Sequence, residues 1–544
     1  MKKPENKIFL KLFIVIIPLL FTAMIMNPRP DEGMYPLSEI SKLSLKEAGL
    51  KIPVSEVYNP NGTSLIDALV STGGCTGSFV SNDGLIITNH HCSFDAIVQA
   101  STPENNYLEN GFVAKTKKDE IRTNIPCRIT ESYKDVSDII LKAANQAKDV
   151  TERTTLITKK IKELVTEEER KDSSIKANVS EMFVGKSYIL FRYKVINDVR
   201  LVYAPPRNIG EFGGESDNWV WPRHTGDFSF LRAYVAPDGK PAKYSKDNVP
   251  YHPKKFLKVN ADGVKEGDFV FILGYPGRTF KHQPSQFLQY QEEYQLPYIQ
   301  SNYSWLIDLY KTFGDNDPEY ALHIAPRIKS LANTEKNYRG KLQGLKRLQL
   351  VEKKQTEEKN LQDFINADAK LKNEYGNVLN EISKVYESIN STGRIPYFIT
   401  LMTNYVNLYR LADIMIDYHI EMKKPDNERK TLYTENSKNN LTGTVNSLYA
   451  TLFPQGDKEI FKIFITEAVT LPEFKNIKAL EYFRNGNVDE LVSKFYKNSI
   501  LLDSTKYFSL LKSSDEEINE INDPLLDFVS ELKETERELM KINS

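Results

Sequence analysis

Gly73-Gly-Cys-Thr-Gly-Ser-Phe-Val-Ser-Asn-Asp-Gly-Leu-Ile-Ile-Thr-Asn-His-His-Cys92 packs turn residues, β-formers and chemistry into one short stretch. It reads as a strand ending near Val80, a turn at Asn82-Asp83-Gly84 and a return strand Leu85-Ile-Ile-Thr88. A hairpin of this kind puts Cys75 and Cys92 on neighbouring segments, where a disulfide can close. Zinc held by Cys75, His90, His91 and Cys92 is the rival reading. Against it, adjacent histidines diverge, and the usual Cys-x-x-Cys and His-x-x-x-His spacings are absent. A histidine that is purely structural is the third reading until a partner for it is found.

The surroundings of this stretch share its character. Turn pairs at Asn61-Gly62, Asp83-Gly84 and Asp238-Gly239 separate short apolar runs. Tyr188–Ile196 and Val199–Tyr203 are β-branched and aromatic, as strands are. Asp135 to Asn178 breaks the pattern: it is charged, nearly free of Gly and Pro, and spaced in threes and fours. From Gln283 onward the chain is rich in Lys and Glu, with apolar residues at helical spacing. Leu371, Tyr375, Val378, Ile382, Val385 and Ile389 predict a core-facing stripe on one long helix, and Leu401, Tyr405, Leu408, Ala412 and Met415 repeat it. The expected class is α+β and multidomain. A β region over 31–280, with a helical insertion near 135–178, precedes an all-helical region over 281–544.

Composition narrows the function. At roughly 150 residues per domain, 544 residues make two to four domains. Lys and Arg total 72 against 73 for Asp and Glu, and no long stretch is basic, which argues against nucleic acid as a partner. Seven histidines and three cysteines leave few ligands for a multi-metal enzyme, and no metal or organic cofactor is expected. Lys2, Lys3 and Lys7 precede an apolar run from Leu12 to Met26. Residues 1–30 therefore read as a secretory signal peptide or an uncleaved N-terminal anchor. The body is expected to be exported, to a compartment where a disulfide is permitted.

A second dense motif is Gly213-Gly-Glu-Ser-Asp-Asn-Trp-Val-Trp-Pro-Arg-His-Thr-Gly-Asp-Phe-Ser-Phe-Leu-Arg232, whose tail opens a strand with Asp227. The two motifs together resemble chymotrypsin-like proteases. There a disulfide of similar spacing clamps the loop bearing the catalytic histidine, which immediately precedes the second cysteine, as His91 precedes Cys92. Their buried aspartate, at the start of a strand like the one Asp227 opens, accepts the Nδ1 proton of that histidine. Closer still, the chain is similar to the bacterial dipeptidyl peptidases seven and eleven, serine exopeptidases of the same clan. The match rests on Asp31-Glu-Gly-Met-Tyr35 (Tyr where the family has Trp), Thr88-Asn-His-His-Cys92, Asp217-Asn-Trp-Val-Trp-Pro-Arg-His-Thr-Gly-Asp-Phe228 and Leu273-Gly-Tyr-Pro-Gly-Arg-Thr279. It extends over 31–544.

That resemblance implies a chymotrypsin-like N-terminal barrel, an incomplete second barrel and a large inserted helical domain. It makes His91 the general base and Asp227 its orienting acid, and it places Asn218 and Trp219 at the substrate's free α-amino group. Asn333, in Leu331-Ala-Asn-Thr-Glu-Lys-Asn-Tyr-Arg-Gly340, matches a further amine-binding asparagine. The implied partners are peptides with a free N-terminus and a second copy of the chain. The family nucleophile lies in a Gly-Asn-Ser-Gly-Ser-Pro type motif, yet no Ser-Gly dipeptide occurs among the 544 residues. Ser78, Ser81 and Ser216 lie in motifs with other family roles. The expectation is a serine-type dipeptidyl aminopeptidase cut short before its nucleophile, inactive alone, with a separately encoded C-terminal segment as its complement. The alternative is a non-catalytic remnant that binds peptide N-termini. Cys127 is left over, buried and inert or paired with a partner chain.

Overall fold

The computed structural model describes residues 34–543 apart from 103, 173, 184, 278, 279, 281, 515, 516 and 519. The signal or anchor expected at 1–30 lies outside the described residues, as do the first three residues of Asp31–Tyr35. Among the described residues no helix is long and apolar enough to cross a membrane. The chain forms two compact units. One takes the chain up to Gly214 together with Pro222–His282; the other takes Glu215–Trp221 together with Gln283–Ser544.

The first unit is built on an antiparallel sheet of 11 strands. These are β1 (Leu69–Thr72), β2 (Cys75–Phe79), β3 (Leu85–Thr88), β4 (Phe112–Val113), β5 (Ile121–Arg122), β6 (Cys127–Asp135), β7 (Ile175–Phe183), β8 (Ser187–Ile196), β9 (Asp198–Ala204), β10 (Ser229–Val235) and β11 (Val249–Pro250). The predicted hairpin is β2–β3, with Phe79 opposite Ile86. Its turn needs glycine at Gly84, where φ is +67° and a Cβ would meet the carbonyls of Ala233 and Tyr251 at 2.8 Å. Pairing runs β1-β2-β3-β10-β9, and β9 then meets β5 with Ile121 opposite Leu201. Residues 123–126 lead directly into β6, which pairs back onto β1 with Cys127 opposite Thr72. The ladder thus curls back to its start as a barrel, with the step from β5 to β6 made by the chain itself.

The barrel is filled by alternate residues of its strands, among them Val70, Phe79, Ile86, Leu201 and Leu231, all fully buried. Each such side chain contributes about 1.5–3 kcal/mol by leaving water. Cys127 sits in the same interior, where burial pushes its thiol up to about 12 and makes it a poor nucleophile. Beyond the barrel β6 continues and pairs with β8, and β8 with β7. The helical stretch expected near 135–178 is two helices, α1 (Ser137–Ala144) and α2 (Val150–Lys171), and β7 begins within it at Ile175. Ile140, Ile157, Ile161 and Leu164 cover this extension with Val179, Tyr188 and Leu190.

The second unit is helical. It includes the short α3 (Gly214–Asp217), α4 (Pro318–Leu348), α5 (Ala369–Tyr375), α6 (Val378–Thr392), α7 (Ile395–Tyr405), α8 (Asn407–Met422), α9 (Pro454–Ala468) and α10 (Val488–Asn498). Two expectations are corrected here. The stripe from Leu371 to Ile389 is not one long core helix but α5 and α6, parted at Gly376-Asn377. A Cβ at Gly376 would lie 2.4 Å from the Lys372 carbonyl, and Gln362 donates to the Gly376 carbonyl from another helix. Tyr375 and Val385 are 44% and 55% exposed, so only part of the stripe faces the core. The stripe from Leu401 to Met415 is likewise divided at Val406, between α7 and α8.

The second break has a tertiary cause. The Asp457 carboxylate, on α9, accepts hydrogen bonds from the backbone N–H of Asn407 at 2.6 Å and of Leu408 at 3.1 Å, capping α8. Tyr496 of α10 donates its hydroxyl to the same carboxylate at 2.7 Å. Asp457→Ala strands two backbone donors and one phenol in a buried place. The variant is expected to lose about 3 kcal/mol in urea denaturation, from the cap plus the unsatisfied donors. A loss under 1 kcal/mol would mean that water replaces the carboxylate.

Candidate active site

A helix of the first unit, here αN (His90–Ala100), follows β3 directly. Its buried residues are His90, Ser93, Ala96 and Ile97, an i, i+3, i+6, i+7 stripe laid against the barrel. His90 belongs to that stripe and is completely buried, with its ring edge-on to Phe94. Gly210 lies against it so closely that a Cβ there would sit 2.7 Å from the imidazole carbons. His91, about 100° further round the helix, turns outward. Its side chain is 64% exposed.

Asp227 stands just ahead of β10, which pairs with β3. Its Oδ2 is 2.7 Å from His91 Nδ1, and its Oδ1 accepts the backbone N–H of His91 at 3.0 Å. One carboxylate thus orients the imidazole and caps the first turn of the helix that carries it, at the positive end of the helix dipole. Asn89 donates its side-chain amide to Asp227 Oδ2 at 3.1 Å and to the Asp227 carbonyl at 3.2 Å. Burial acts to raise the Asp227 carboxyl. The hydrogen bonds from the His91 ring and backbone, the imidazole charge and Asn89 outweigh it and hold the group at about 2. An ionised carboxylate can only accept, so the shared proton is on Nδ1 of His91, the tautomer that general-base catalysis through Nε2 requires.

Cys75 and Cys92 are joined in a disulfide with Cα atoms 6.2 Å apart, tying β2 to the first turn of the helix. The rival zinc reading fails on this geometry. Both thiolates it needs are spent on each other, and His90 is packed inward under Gly210 while His91 faces Asp227. Beneath the pair, Ser229 donates to the Asn89 carbonyl at 3.1 Å and shares a 2.7 Å bond with Ser93. Asn89, Ser93, Ser229 and Gly210 were not singled out from the sequence. Ser93 was open to discovery there, because with His90 and Ile97 it completes the buried helical spacing.

The residues matched to amine binding meet in the second unit. Glu215–Trp221 forms a strap on α4. Asn333, on that helix, accepts through Oδ1 from Asn218 Nδ2 at 2.9 Å and from Trp219 Nε1 at 3.0 Å, and its backbone carbonyl lies 3.1 Å from the same indole nitrogen. Asn218 Nδ2 also lies 3.4 Å from Glu215 Oε2. With that nitrogen turned to Glu215 and Asn333, the acceptor oxygen of Asn218 is on the other side of its amide. Trp219 is 60% exposed and has φ +59°, a left-handed backbone that L side chains rarely adopt. Strain of this kind is concentrated at functional sites. Membership of this strap in the helical unit was not expected from the sequence, which assigned 215–221 to the β region.

Known proteins resemble the chain along nearly its whole length. A family model described as Peptidase S46 matches residues 30–544. An Asp/Glu-specific dipeptidyl-peptidase of Capnocytophaga gingivalis is 34% identical over 508 residues, which span 92% of this chain and 70% of that protein. A dipeptidyl-peptidase 7 of the same organism is 32% identical over 499 residues, 90% of this chain and 69% of that one. Among solved structures, Porphyromonas endodontalis DPP11 superposes with a TM-score of 0.70 at 29% identity, covering 94% of this chain and 74% of that one. The same protein in complex with the dipeptide Arg-Glu gives a TM-score of 0.66 at 27% identity, with the same coverage. A match that runs from residue 30 to residue 544 leaves no substantial part of the chain outside it, and the chain belongs to the peptidase S46 family.

Proposed function

We propose that this chain is a serine-type dipeptidyl aminopeptidase component, exported from a bacterial cell, that acts on peptides with a free N-terminus. The observation that carries the reading is the Asp227–His91 pair, with the proton on Nδ1 and the ring held at 2.7 Å. In acyl transfer, His91 Nε2 takes the proton of a serine hydroxyl as that oxygen attacks the scissile carbonyl, and returns it to the leaving amine. Asp227 fixes the tautomer and stabilises the imidazolium between the two steps. Asn218, Trp219 and Asn333 supply the polar cradle for the substrate's α-ammonium. The names of the relatives, and the dipeptide complexes of P. endodontalis DPP11, support a dipeptide product. Export rests on the basic and apolar N-terminal run and on the disulfide.

The serine itself is not evident in these residues, none of which forms a Ser-Gly dipeptide. That absence favours a second reading, in which this chain alone binds peptide N-termini without cutting them. One experiment addresses both. A fluorogenic dipeptidyl substrate and its N-acetylated counterpart are offered to the protein, with and without a serine-reactive fluorophosphonate. Preference for the free amine is expected under either reading. Inhibitor-sensitive release marks the enzyme, and binding without release marks the remnant. Equal handling of free and acetylated peptides would overturn both.

A further inference from the structure

We propose that Lys336 is a positioning residue for amine recognition: it pins the Glu215–Trp221 strap to α4 and so sets Asn218 and Trp219 in place. The proposal rests on the reading that this strap receives a peptide N-terminus. Lys336 donates through Nζ to the backbone carbonyl of Glu215 and, at 3.2 Å, to that of Ser216. Those carbonyls belong to α3, a single helical turn, and the last carbonyls of a helix find no partner within it. A cation at that end also complements the local backbone dipoles.

The spacing makes the grip two-handed. Asn333 and Lys336 are three apart on α4 and share one face of it, while Leu331 and Glu335 are buried elsewhere on the helix. Asn333 holds the Asn218 amide and the Trp219 indole; Lys336 holds the turn that precedes them. Within the Asn333 grip the chain passes through Trp219 at φ +59°, a position where glycine would be the relaxed choice. A strained tryptophan stays in such a conformation only when its surroundings over-determine it. The flanking residues Gly213 and Gly214, with φ +77° and +47°, give the strap little stiffness of its own. Asn333 and Lys336 of α4 supply side-chain bonds that order it.

The test uses the 544-residue protein and two probes, Ala-Ala-Ala and acetyl-Ala-Ala-Ala, followed by calorimetry and by indole emission. Wild type is expected to prefer the free amine. Lys336→Met, which keeps the apolar stem and removes the donor, is expected to bind Ala-Ala-Ala about tenfold more weakly, the effect of losing charge-assisted hydrogen bonds. Its indole emission should shift to the red as Trp219 leaves Asn333, with far-UV circular dichroism unchanged. Lys336→Arg, which can still reach two carbonyls, should recover most of the affinity; a loss that came only from general destabilisation would not follow this order. Should Lys336→Met fail to fold, Lys336→Gln replaces it, with an intermediate loss expected. Binding by the Met or Gln variant as tight as wild type, or tighter because a cation has gone, overturns the role of Lys336. A wild type that does not distinguish the two probes overturns the amine-site reading itself, and the proposal with it.

Discussion

Purified as these 544 residues, the protein is expected to release no dipeptide above background, and His91→Ala is expected to change nothing in that assay. A base and its orienting acid cannot form an acyl-enzyme without a nucleophile, and oxyanion donors worth about 10²–10³ in rate ordinarily accompany the nucleophilic serine. Three serines of this unit are otherwise committed. Ser81 accepts from the backbone of Asp83 and Leu85 in the hairpin turn, and Ser93 and Ser229 are fully buried and bonded to each other. A fluorophosphonate should therefore label none of these three. The same unit exposes Val259, Val264 and Val270, and Ile272 is 98% exposed, so it should also bind a hydrophobic dye. Hydrolysis that begins only when a segment with a glycine-flanked serine is added, in trans or fused, would place the nucleophile on that added segment. Turnover by the chain alone that His91→Ala abolishes would show that one of its own serines is the nucleophile.

The barrel side of the site was legible in the sequence because its signals are local. Asn82-Asp83-Gly84 fixes a hairpin, Leu85–Thr88 reads as a strand, and the strand positions Asn89, His90, His91 and Cys92 by chain connectivity alone. Which histidine faces out follows from the stripe His90, Ser93, Ile97, a helical spacing present in the sequence and overlooked beside the apparent strand signals. Helix ends in the second unit were less legible. The break at Val406 is set by Asp457, a residue 51 positions away whose carboxylate caps α8, and no window around Val406 contains it. The strap had the same difficulty. Glu215–Trp221 is Gly-flanked and aromatic like its β neighbours, and only bonds to Asn333 and Lys336, more than 100 positions on, assign it to the helices. Composition reports on neighbours in the chain; these two assignments depend on neighbours in space.

Once a nucleophile is supplied, Asp227→Asn is expected to lower kcat/KM for a free-amine dipeptidyl substrate by about 10⁴-fold, the size of effect seen when the tautomer of a triad histidine is reversed. The reason lies in the atoms. Asp227 Oδ2 accepts from His91 Nδ1, and an amide nitrogen in its place would donate to Nδ1 instead, moving the imidazole proton to Nε2, where it blocks removal of the serine proton. The amide oxygen can still accept the His91 backbone N–H now taken by Oδ1, so the helix cap and the fold should survive. Most of the loss should then fall on kcat. KM should move little, because amine recognition is assigned to Asn218, Trp219 and Asn333, which are held by bonds of their own. The wild-type pair also contributes stability that the variant lacks. With the Asp227 carboxyl held at about 2 in the folded protein, below its usual value near 3.9, that contribution is present above about pH 4 and is lost as pH falls towards 2. Acid unfolding of wild type and Asp227→Asn should accordingly converge at the low end of this window. A fall in kcat/KM of less than tenfold, with the fold intact, would remove Asp227 from the catalytic pair and leave it as a helix cap.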